Sequence, residues 1–69
     1  MISDADIENW FSYHVPQPDQ IDKYQSIRNG AKVFAQILVN NTPSSADQTA
    51  AIRKLRECVM TANAAIACE

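Results

Sequence analysis

The sequence predicts an all-α chain: a short N-terminal helix, a proline elbow and a long antiparallel helical hairpin. Three observations carry this. From Asp19 to Leu38 the apolar residues Ile21, Tyr24, Ile27, Ala31, Phe34, Ala35 and Leu38 recur at steps of three or four, the period of one helix face. In the last third of the chain, Ile52, Leu55, Val59, Ala62 and Ile66 repeat the same steps as a near-heptad seam. Just ahead of the first of these stretches, Pro16 and Pro18 favour extended backbone and exclude helix.

Taken in order, the expected helices cover 4–12, 19–40 and 45–67 of a single domain, 1–69. Ser3 opens the first, with Asp6 three residues on as in a capping box. Asp4, Asp6 and Glu8 suit the positive end of the helix dipole. This helix is too short to stand alone, so Trp10 and Phe11 must dock on something. After the elbow, Asp19 is the expected N-cap of the central helix. Gly30 inside that helix costs roughly 1 kcal/mol against Ala, and reads either as tolerated or as a place of close approach. Asn40-Asn41-Thr42-Pro43 ends the central helix, and Ser44 or Ser45 caps the third. So short a connection makes the two long helices antiparallel neighbours. Val33, Ile37, Met60 and Ala64 lie off the seam, and a two-helix hairpin cannot cover them all. That surplus predicts self-association.

A chain of 69 residues buries little core, so disulfides, metals or oligomerisation are natural supports. No metal is expected, because His14, Cys58 and Cys68 form no recognised ligand spacing. The two cysteines are ten apart on one helix, about 15 Å of rise, which is too far for a bridge. Free thiols fit a reducing compartment. No signal pattern or membrane-spanning apolar run is present, so the expectation is a soluble cytosolic protein without cofactor. The net charge is −2, divided unevenly: residues 1–22 carry −5 and residues 23–69 carry +3. The basic part suits a small anion; a nucleic-acid duplex would want more positive charge.

Catalysis has little to work with. No Ser–His–acid order, metal motif or Gly-rich phosphate loop is visible, and His14 in its proline-rich connection reads as a loop or packing residue. Binding is better supplied. Tyr13 and Tyr24 offer aromatic faces, and base stacking contributes about 1–3 kcal/mol per base. Arg28 and Lys32, four apart on one helix face, offer cations, the Arg able to fork two phosphate oxygens. Three of these have a plainer reading, Tyr24 as a core residue and Arg28 and Lys32 as a solvated face; Tyr13, beside the prolines, is less easily explained as core. On the third helix, Arg53, Lys54 and Arg56 read as a solvated face. Thr61 and Asn63 serve either helix-facing hydrogen bonds in an oligomer or a second polar ligand site.

Longer stretches carry a resemblance. Phe11-Ser12-Tyr13-His14-Val15-Pro16-Gln17-Pro18-Asp19-Gln20 is followed by Tyr24-Gln25-Ser26-Ile27-Arg28. Towards the end come Pro43-Ser44-Ser45-Ala46-Asp47, Leu55-Arg56-Glu57 and Met60-Thr61-Ala62-Asn63-Ala64-Ala65-Ile66-Ala67. Together these resemble the small bacteriophage anti-CBASS sponge proteins, whose helical hairpin is shared with sponges that counter the Thoeris defence. The resemblance implies a homohexamer in the cytoplasm of the infected bacterium. It would hold cyclic dinucleotides such as cyclic GMP-AMP between protomers, and in some members cyclic trinucleotides in separate pockets, without cleaving them. By the same resemblance Tyr13 stacks on a base and Arg28 contacts phosphate; Lys32, His14 and Tyr24 join this site on physical grounds only. Arg56, Thr61 and Asn63 are the candidates for a trinucleotide site. The rival expectation is a structural or protein-binding helical hairpin with no nucleotide ligand.

Overall fold

The computed structural model describes residues 1–69. It contains α1 (Asp4–Trp10), α2 (Pro18–Asn41) and α3 (Ala46–Ala67) and no strand. No helix is long and apolar enough to cross a membrane.

Local chemistry sets each helix end. The Ser3–Asp6 capping box forms in both directions: Asp6 N donates to Ser3 Oγ (3.1 Å) and Ser3 N to Asp6 Oδ2 (3.0 Å). The ladder of α1 closes with Phe11 N on Ile7 O, so α1 stops two residues short of the expected Ser12. Ser12 instead turns its hydroxyl back onto Glu8 Oε1 (3.0 Å). α2 starts at Pro18, which takes the first helical position, where its missing N–H costs nothing. Gln17, not Asp19, is therefore the N-cap, and its backbone N–H donates to Gln20 Oε1 at 2.9 Å.

At the far end, Asn41 Nδ2 and Thr42 Oγ1 donate back to Ile37 O and Leu38 O. Gln48 Nε2 reaches from α3 to Thr42 O, Thr42 Oγ1 and Val39 O. These side chains satisfy the carbonyls that the end of α2 leaves open. Ser45 Oγ accepts Gln48 N at 3.2 Å and starts α3.

The long helices pack along Tyr24, Ile27, Ala31, Ala35 and Leu38 of α2 and Ile52, Leu55, Val59, Ala62 and Ile66 of α3, all half-buried. Ile21 and Phe34, expected on this stripe, are instead about half exposed. Phe34 sits one position beside the seam, and a single partner helix covers only a narrow strip. Gly30 meets no close neighbour: nothing lies within 4 Å of where a Cβ would stand.

No apolar side chain is fully buried, and the one buried residue is polar, Gln20. The radius of gyration is 15.2 Å, against about 11 Å for a compact chain of this length. The molecule is a slab of 44 × 30 × 15 Å with a seam in place of a core.

Candidate functional site

Along one side of the seam runs an open groove of about 380 Å³. Its apolar lining is Ala31, Ala35, Ile52, Leu55, Val59 and Met60. Three cations edge it: Arg28 and Lys32 from α2, and Arg56 from α3. The antiparallel register makes this set, because it sets Arg56 across from residues 24 and 28 positions earlier in the chain. Neither ion pair of the chain involves them. Both use Lys23, with Asp19 (3.9 Å) and Glu69 (3.7 Å). Three uncompensated positive charges over an apolar lining suit a ligand with flat apolar parts and anionic groups. No carboxylate, histidine, thiol or hydroxyl lines the groove.

The other side of the seam is different in kind. There a groove of about 210 Å³ is lined by Ile27, Gly30, Ala31, Phe34, Leu55, Cys58, Val59 and Ala62, with no charged residue. The hairpin thus has one cationic and one apolar face. Cys58 is exposed and Cys68 half-buried, both as free thiols. No cluster of His, Cys, Asp and Glu with metal-binding geometry occurs.

The remaining expected site residues fall elsewhere. Tyr13 lies on the elbow, 85% exposed, and lines neither groove. Tyr24 is half-buried on the seam, one helical turn before Arg28. His14 Nε2 donates to Asn9 O at 2.6 Å; a carbonyl only accepts, so this nitrogen carries the proton. Thr61 is exposed and turns its hydroxyl onto Glu57 O (2.8 Å) within its own helix. Asn63 is half-buried, and its Oδ1 is shut from solvent without a partner. Arg56, Thr61 and Asn63 therefore share no groove within one chain; Arg56 joins Arg28 and Lys32 instead.

Sequence reasoning missed Gln20 and Asn9. Gln20 Nε2 donates to Ile66 O (2.9 Å) and Glu69 Oε1 (3.2 Å), and Asn9 Nδ2 to Cys68 O (3.1 Å). The only signal was the Gln17–Gln20 spacing beside Pro18, which marks a helix start and says nothing of the contact to α3.

A comparison with curated proteins gave no match, and neither did one with solved structures. A family model described as Acb2/Tad1, hairpin domain, matches residues 3–67. The hairpin, the elbow and the cationic groove all lie within that span, and the chain belongs to the Acb2/Tad1 hairpin family of anti-CBASS and anti-Thoeris sponges, binding proteins rather than enzymes.

Proposed function

We propose that this protein sequesters cyclic di- and trinucleotide second messengers of the CBASS defence, such as cyclic GMP-AMP, and does not cleave them. It would act as a homo-oligomer, a hexamer by family, in the cytoplasm of an infected bacterium. The observation that carries this reading is the groove edged by Arg28, Lys32 and Arg56, cationic and without ion-pair partners. Two phosphates and two bases need fixed cations and flat apolar surface, and the groove supplies both.

One chain cannot close around such a ligand. Its groove is open, and Tyr13 stands outside it. Two chains, each bringing Arg28 and Tyr13, would form a two-fold site for a nearly two-fold ligand. The lack of a fully buried apolar side chain supports assembly on separate grounds: so thin a slab leaves too much apolar surface in water to be stable alone. The charge-free groove at Gly30 and Phe34 is the surface we assign to contact between copies.

Calorimetric titration with cyclic GMP-AMP, cyclic di-GMP, cyclic di-AMP and a cyclic tri-adenylate tests the reading. Binding is expected, with the ligand recovered intact after the protein is denatured. Arg28→Ala should weaken dinucleotide binding by about ten- to a hundredfold, the range of a charge-assisted hydrogen bond. Tyr13→Ala should weaken it comparably, with the assembly intact in both variants. No heat and no melting shift across the panel would refute the sponge and favour a protein partner.

A further inference from the structure

The elbow that carries Tyr13 is flanked on both sides by polar contacts to the end of α3, made by Asn9 and Gln20. From Ser12 to Pro16 it makes no backbone–backbone hydrogen bond. On its N-terminal side the His14 ring donates to Asn9 O, and Asn9 Nδ2 donates to Cys68 O. The Cys68 thiol adds a long contact to Asn9 O at 3.7 Å. On its C-terminal side Gln17 N donates to Gln20 Oε1, while Gln20 Nε2 divides its two protons between Ile66 O and Glu69 Oε1. Lys23 pairs with the same Glu69 oxygen.

Gln20 is the centre of this latch. One amide joins the exit of the elbow, the first turn of α2 and the last turn of α3, with both its donors used. It is 8% exposed, the one buried residue of the chain. Tyr13 lies between the two anchored points, and its own side chain has no polar partner. Its position is therefore inherited from the latch.

We propose that Gln20 and Asn9 are positioning residues for ligand binding: by fastening the elbow to the end of α3, they hold Tyr13 where it can stack on a base. This rests on the role proposed for Tyr13 above. Gln20→Glu is the sharpest probe. The carboxylate keeps the acceptor for Gln17 N but loses both donors and stands against Ile66 O and the Glu69 carboxylate. Loss of such a buried pairing is expected to weaken binding about tenfold.

The test is a thermodynamic cycle on the full chain, by calorimetry with the tightest binder among cyclic GMP-AMP, cyclic di-GMP and cyclic di-AMP. Gln20→Glu, Tyr13→Ala and the double variant are compared, with mass and helicity checked for each. If Gln20 acts through Tyr13, the double variant binds as Tyr13→Ala does, because the second change has nothing left to misplace. Hydrogen exchange at the Phe11 and Gln17 amides, the hydrogen-bonded ones on either side of the elbow, should quicken in Gln20→Glu. Fully additive losses, or exchange unchanged at the elbow, would overturn the positioning role and leave the sponge reading standing. No binding by the unsubstituted protein would overturn both.

Discussion

Replacing Phe34 by Asp should take the proposed assembly apart. Phe34 is 50% exposed in the single chain and lines the charge-free groove with Ile27, Gly30 and Cys58. A phenylalanine has about 200 Å² to bury, so about 100 Å² waits for a cover. At about 25 cal/mol per Å² that is roughly 2.5 kcal/mol for each copy that covers it. The corresponding association constant falls roughly sixtyfold. A carboxylate in the same groove adds its own desolvation cost, so the figure is a lower bound. Sedimentation equilibrium over a range of protein concentrations reads the mass directly. The variant should sediment as smaller species, with a melting temperature that depends on concentration. Gln25→Asp is the control, since Gln25 is exposed and lines no groove; it should keep the parent mass. An unchanged mass for Phe34→Asp at every concentration would show that this face is free, and would refute its assignment as a contact between copies.

Two further outcomes separate the site from its surroundings. Arg56→Ala should weaken cyclic dinucleotide binding about tenfold, because Arg56 shares the groove of Arg28 and Lys32. Arg53→Ala, one turn away and outside that groove, should leave the affinity within about twofold, and calorimetry distinguishes the pair. Ser45→Ala removes the acceptor for Gln48 N at the start of α3; it should cost about 1 kcal/mol, a fall of about 4–8 °C in Tm by thermal melting followed at 222 nm.

The sequence by itself determined what depends on neighbours a few residues apart. Apolar spacing placed two long helices, Ser3 with Asp6 placed a cap, and paired prolines placed the elbow, because helix periodicity and capping are set within one or two turns. The same spacing brought Arg28 and Lys32 to one helix face. Even at this range Pro18 prevailed over Asp19, since a proline taking the first helical position makes the residue before it, Gln17, the cap. Tertiary structure decided everything that needed the second helix. A stripe of apolar residues does not say which of its flanks a partner covers, so the exposure of Phe34 followed only from the line of the seam. Arg56 entered the groove of Arg28 and Lys32 because of antiparallel register, which no spacing within α3 expresses. The Gln20 latch joins residues 46 and 49 positions apart. A glutamine in a first turn reads as solvated until the end of another helix, with open carbonyls, is brought against it.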